Sequence, residues 1–263
     1  MSSTGPQPTS VQAGLLAGKV AIITGASRGI GEAAARAFAD AGAAVVLAAR
    51  DEGALRGIAD SIEAGGGQAL AVPTDVTEPY AVQQLVDGTV DVFGRLDVAF
   101  NNAGSGQPPT PMADMPVEQF DRTVQLNLRG IFLSMKYEIP AMLTAGGGAI
   151  VNMSSTAGLA GRAGLAAYAA AKHGIIGLTR CAALDYADSN IRINAVAPGT
   201  ILTHHLDRVP ERVRDQIAHA IPAQRLGTVE EVSSAAVWLC SDQASYINGA
   251  TISIDGGKLA AGA

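Results

Sequence analysis

The chain has 263 residues, 48% of them hydrophobic and 16% charged, which is enough for one sizeable core and too apolar for a disordered chain. With 18 Lys+Arg against 24 Asp+Glu the formal charge is −6, so no basic surplus exists to neutralise a phosphate backbone, and nucleic acid is not an expected partner. The two cysteines, Cys181 and Cys240, lie outside any CxxC pair; a disulfide framework and a thiolate metal site are both unexpected, and each cysteine reads as a small core residue.

Residues 1–16 are rich in Ser, Thr, Pro and Gln, and the first basic residue is Lys19. They read as a flexible tail without the charged and apolar parts of a leader, and no apolar run approaches the ~18 residues of a membrane span. The cytoplasm is the expected location. From 17 to 263 the chain reads as a single domain. Apolar, β-branched runs at 20–24, 44–48, 69–72, 96–100, 149–153, 191–196 and 251–254 alternate with helical stretches at 29–41, 54–64, 79–93, 117–142, 165–187 and 229–239. That alternation predicts an α/β fold, a doubly wound parallel sheet of about seven strands with helices on both faces. Ligands of such sheets lie beyond the C-terminal strand ends.

The first predicted strand runs through Gly25-Ala26-Ser27-Arg28-Gly29-Ile30-Gly31 directly into a helix. Glycines there let the backbone turn under a helix N-terminus, where free N–H groups and the positive helix end attract a pyrophosphate. Gly25, Ser27, Arg28, Gly29, Ile30 and Gly31 are thus candidates for holding a dinucleotide, although the glycine spacing differs from GxGxxG and a plain turn is the alternative. About 18 residues past Gly31, where a carboxylate would meet the ribose of NAD, the chain has Ala49-Arg50. Arg50 and Arg28 could instead grip a 2′-phosphate, so NADP(H) is favoured. NAD(H) stays open, because Asp51 could pair with Arg50 or accept from the ribose itself.

Further strand ends carry Asp75-Val76, Asn101-Asn102-Ala103-Gly104 and Ser154-Ser155, each by itself an ordinary turn sequence. Tyr168 and Lys172, four apart, share one helix face. An ammonium near a phenol favours the phenolate, so Lys172 is expected to pull the Tyr168 pKa down from about 10 toward the range of a general acid-base catalyst. Ser155 lies 13 residues before Tyr168, across a loop that could fold its hydroxyl back to the phenol.

In this order the segments resemble the classical short-chain dehydrogenase/reductases over residues 19–257, with TGxxxGxG, NNAG, Ser with YxxxK, and PGxxxT as Pro198-Gly199-Thr200-Ile201-Leu202-Thr203. The resemblance implies a Rossmann-type fold and NAD(P)-dependent interconversion of a small carbonyl compound and its secondary alcohol, run reductively with NADPH. By it, Ser155 donates to the carbonyl oxygen, Tyr168 protonates it, Lys172 also orients the ribose, and Asn127 holds a proton-relay water. Asp75 would meet the adenine, and Ile201 and Thr203 the nicotinamide carboxamide. Val76, Asn101, Ala103, Gly104, Pro198 and Gly199 complete the implied cofactor set. A homotetramer is also implied, with the helices predicted at 117–142 and 165–187 as candidates for its interfaces.

Two alternatives stand beside this reading. A silent dinucleotide-binding sensor would need the glycine loop but not the Asn-Ser-Tyr-Lys set. A 3-oxoacyl-carrier-protein reductase would share the layout, but residues 184–190 carry Asp185 and Asp188 and no Lys or Arg for an acidic carrier. Leu206, Val209, Val213, Ile217 and Ile221 fall at helical steps within 200–224 and predict an amphipathic substrate lid, or else a stripe that only packs on the core. The adjacent His204 and His205 would point about 100° apart on a helix, so no metal site is expected.

Overall fold

The computed structural model describes residues 14–261 except 205, 207 and 208. Seven parallel strands, β1 (Val20–Thr24), β2 (Ala44–Ala49), β3 (Gln68–Pro73), β4 (Val98–Asn101), β5 (Gly148–Met153), β6 (Ile191–Pro198) and β7 (Thr251–Ile254), pair in the order β3-β2-β1-β4-β5-β6-β7. The order reverses between β1 and β4, and that switch point opens the crevice in which ligands of doubly wound sheets bind.

Side chains alternate between two cores, as the period of two requires. On one face Ala21, Ile23, Val98, Phe100 and Val151 pack with α1 (Gly29–Asp40), α2 (Glu52–Ala64) and α8 (Val229–Cys240). On the other, Ile22, Ala99, Ile150 and Ile193 pack with α3 (Pro79–Phe93), α5 (Gly130–Ala145) and α6 (Ala166–Asp185). Helices on both faces explain why the strands read as continuous apolar runs.

Four findings refine the sequence reading. Leu16 is fully buried and its N–H donates to Ala41 O, so core packing begins inside the stretch read as tail; residues 1–13 lie outside the described residues. The helix expected over 117–142 is three pieces: α4 (Val117–Val124), a π-helical turn (Gln125–Arg129) and α5. Cys240 is buried, but Cys181 is exposed on α6, which corrects its reading as a core residue. Within 200–224, α7 (Glu211–His219) follows Pro210 and buries no residue completely, while Ile221 is buried. Among the described residues no helix is long and apolar enough to cross a membrane.

Candidate active site

The glycine loop leaves β1 at Thr24, whose hydroxyl accepts from Asn102 N and Ala103 N, both at 3.0 Å. Asn102 Nδ2 returns two bonds, to Thr24 O and Gly25 O. The tips of β1 and β4 are thereby laced together across the switch point. Gly25 has φ +67°, and a Cβ on it would lie 2.9 Å from Ala103 Cα; a Cβ on Gly31 would lie 2.0 Å from Gly25 O. The first demands the left-handed region, the second a bare backbone where the helix crosses the loop. Arg28 precedes α1 with extended backbone and no side-chain cap on the helix, so the first N–H groups of α1 face the loop without a side-chain acceptor, the arrangement that receives an anion.

Arg28 and Arg50 are both exposed. Asp51 caps α2, its Oδ1 accepting from Ala54 N at 3.1 Å, so this carboxylate is engaged with its own helix rather than with Arg50. Asp75 Oδ1 accepts from Thr77 N and Thr77 Oγ1 at 2.9 and 2.8 Å, which fixes its orientation at the end of β3. The Val76 side chain is buried with Val82 and Leu133.

The Asn101 side chain lies behind the loop. The alternation along β4 turns its side chain to the α5/α6 side of the sheet, where it is fully buried and its Nδ2 donates to Glu138 Oε2 (2.9 Å) and Asn152 Oδ1 (3.2 Å). Asn102, not Asn101, is the amide that holds the cofactor-side loop. Burial raises the Glu138 carboxyl to about 7, the hydrogen bond from Asn101 opposing it. Asn152 Nδ2 donates in turn to Thr179 Oγ1 on α6.

The four residues expected to act together lie around one point at the ends of β4 and β5. Asn127, in the π-helical turn, is fully buried; its amide accepts from Ser105 N and donates to Ser105 O and Thr123 O. Wide turns of this kind recur where a helix is opened for function. Gly104 lies directly against it, since a Cβ there would be 2.6 Å from Asn127 Oδ1 and 3.7 Å from Lys172 Nζ. Ser155 follows β5, its Oγ accepting from Ala157 N, and its hydroxyl acts on the Tyr168 phenol, lowering that group's pKa. Lys172 is 2% exposed and its Nζ donates to Met153 O at 2.8 Å.

The electrostatics differ from the sequence expectation. Burial raises the Tyr168 pKa above its ordinary value, the Ser155 hydrogen bond offsetting part of the rise. Burial also lowers Lys172 to about 7. The net shift of the phenol is upward because its desolvation outweighs the contribution of Ser155.

On the far side of the crevice Gly199 N–H donates to Ile254 O, and a Cβ on Gly199 would lie 3.0 Å from Asp255 Cα. Pro198 ends β6, and Ile201 pairs with Gly227. Thr203 then meets the glycine loop, its Cγ2 lying 3.7 Å from where a Cβ on Gly29 would stand. His205 lies outside the described residues, and the paired-histidine reading with it.

The sequence profile described as Enoyl-(Acyl carrier protein) reductase matches residues 25–258. The chain belongs to the short-chain dehydrogenase/reductase family. It is 42% identical over 251 residues to an A-factor type gamma-butyrolactone 1'-reductase (1S-forming) of Streptomyces virginiae, covering 93% of this chain and 96% of the relative. It is 42% identical to a cyclohexanol dehydrogenase of Acinetobacter sp. (strain SE19), over 90% of this chain and 94% of that protein. Among solved structures, levodione reductase superposes with a TM-score of 0.90 at 34% identity, covering 94% of this chain and 99% of that one. Membership makes this dehydrogenase/reductase an oxidoreductase of alcohols and carbonyls that uses an NAD(P)-type cofactor. Sequence reasoning overlooked two of its features: the Thr24–Asn102 lacing, and Gln107, whose side chain reaches the backbone of Tyr168. The adjacent amides of the NNAG segment could have signalled the first, since neighbours on a strand face opposite ways.

Proposed function

We propose that this dehydrogenase/reductase interconverts an alicyclic ketone and its secondary alcohol, runs in the reductive direction, and favours NADP(H). The observation that carries the reading is the convergence of Asn127, Tyr168 and Lys172 at the ends of β4 and β5, with Lys172 Nζ 5.5 Å from the centre of the Tyr168 ring and Gly104 packed between Asn127 Oδ1 and Lys172 Nζ. The dinucleotide supplies the hydride. The chain's own residues do the rest: Ser155 donates to the carbonyl oxygen, and Tyr168 gives that oxygen its proton. Lys172 holds the phenol's end of α6 to β5 through Met153 O and offers its remaining protons to the ribose, and Asn127 organises the proton path.

The loop fits a dinucleotide. Gly25 and Gly31 leave a cradle that a Cβ would fill, and α1 presents uncapped N–H groups above it. Asp51, the rival for the ribose of NAD, is committed to capping α2, while Arg28 and Arg50 have no ion-pair or hydrogen-bond partner among the described residues. That supports a 2′-phosphate at their guanidinium groups. Asp75 belongs to the adenine side, and Ala103, Gly104, Pro198, Ile201 and Thr203 line the nicotinamide side.

The ring class of the substrate draws support from relatives of two names, cyclohexanol dehydrogenase and, at 43% identity in Sinomonas cyclohexanicum, cis-4-hydroxycyclohexanecarboxylate dehydrogenase. Segment 200–224 would close over the ring, with Leu206, Val209, Val213 and Ile217 half-buried. The test is purified enzyme with NADPH or NADH against cyclohexanone, substituted cyclohexanones, linear keto esters and carrier-linked 3-oxoacyl groups, followed by cofactor absorbance. Cyclic ketones should give the highest kcat/KM; preference for the carrier-linked group would overturn the substrate class. A homotetramer belongs to the same proposal, supported by Phe132 on α5 and Leu184 on α6, exposed by 46% and 81% in the single chain. Light scattering at micromolar concentration checks it, and a monomer would remove it.

A further inference from the structure

We infer that Gln107, in the loop after β4, is a positioning residue that caps α6 from outside and sets the register of the Tyr168 phenol. The inference rests on the role proposed above for Tyr168. Helix α6 begins at Ala166 with Leu165 at its cap position, and no local side chain accepts from its first N–H groups. A helix start left in this way carries unsatisfied donors. Gln107 supplies the acceptor from 61 residues away: its Oε1 accepts from Tyr168 N at 2.7 Å. Tyr168 is the third residue of the helix, the position whose N–H an N-cap side chain ordinarily serves.

The other end of the same amide is also used. Gln107 Nε2 donates to Gly164 O at 3.0 Å, and that carbonyl accepts as well from Thr110 N at 2.9 Å. One side chain thus pins both the entry to α6 and the residue bearing the phenol. A primary amide does this because it presents a donor and an acceptor at once; an ionised carboxylate can only accept and an aliphatic side chain does neither.

Two residues earlier, Ser105 is clasped on both its N–H and its carbonyl by the Asn127 amide, at 3.2 and 3.1 Å. The segment 105–107 therefore joins the π-helical turn to the start of α6, and Asn127 and Tyr168 are held by opposite ends of a three-residue strap. The loop's outer side is fixed by Gln119, whose Nε2 donates to Pro108 O and Thr110 Oγ1, both at 3.3 Å. Releasing Gln107 frees the first turn of α6 while leaving Ser155, Lys172 and the glycine loop in place. Misplacing a reacting group by as little as 1 Å can cost about a hundredfold in rate.

The experiment compares Gln107→Ala and Gln107→Glu with the wild type and with Tyr168→Phe, using cyclohexanone as the probe substrate. It also follows amide hydrogen exchange at Tyr168 on the protein alone. Gln107→Ala should lower kcat about ten- to a hundredfold, leave the dinucleotide Kd within about twofold, and speed exchange of the Tyr168 amide. Gln107→Glu should regain activity relative to wild type as pH falls, because a protonated carboxyl restores the donor to Gly164 O. A Gln107→Ala enzyme with kcat within about twofold of wild type, or Tyr168 amide exchange unchanged in that variant, would overturn the inference. So would parallel losses of kcat and dinucleotide affinity, which mark general unfolding of the site. Wild-type turnover by Tyr168→Phe would instead overturn the role of Tyr168, and the exchange result would still report on the cap.

Discussion

Lys172 Nζ stands 5.5 Å from the centre of the Tyr168 ring while it donates to Met153 O at 2.8 Å. The lysine is tied to the sheet and so joins α6 to the end of β5. Its pKa is lowered from 10.5 to about 7 by burial, so the folded chain binds this proton less tightly than the unfolded chain does. The stability associated with Lys172 is therefore present above about 10.5 and is lost as pH falls through about 7.

Lys172→Ala should reduce kcat and weaken dinucleotide binding together, since one side chain serves the phenol and the ribose. Initial rates and a fluorescence titration with NADPH check this. A fall in kcat with unchanged dinucleotide Kd would show that Lys172 acts on the phenol alone.

Glu138 carries the opposite sign. Its carboxyl is raised from 4.5 to about 7 by burial, so the folded state binds this proton more tightly. Its contribution is present below about 4.5 and is lost as pH rises through about 7. Glu138→Gln keeps an oxygen for Asn101 Nδ2 and removes the ionisation. Thermal midpoints at pH 5 and pH 8 should fall less with rising pH in the variant than in the wild type. Equal falls would mean that Glu138 does not titrate in this window.

The proposed preference for NADP(H) rests on Ala49, Arg50 and Arg28. Wild-type kcat/KM should favour NADPH over NADH by about tenfold or more, the scale set by charge-assisted hydrogen bonds at a screened surface site. Ala49→Asp with Arg50→Ala should reverse the order. A wild type that prefers NADH would remove Arg50 from the phosphate site.

The strand–helix alternation, the glycine loop and the Tyr168–Lys172 step are legible because each depends on local pattern: apolar runs, glycines at a strand-to-helix junction, and a four-residue step on one helix. The side-chain direction of Asn101 is not legible, because a motif does not say which of two adjacent amides faces the crevice and strand alternation turns this one inward. The π-helical turn at Gln125–Arg129 leaves no mark in composition, since its residues are ordinary helix formers. The sign of the Tyr168 shift escaped because it depends on how deeply the tyrosine and Lys172 are buried, which spacing does not report. Gln107 was invisible because its partners lie 57 and 61 residues away.

The most direct test is Tyr168→Phe, which keeps the ring and removes only the phenolic oxygen. Ketone reduction should fall by about 10²–10⁴ in kcat, the range for loss of a general acid, with the dinucleotide Kd within about twofold of wild type. A variant that keeps more than about a tenth of the wild-type kcat would contradict Tyr168 as the proton donor.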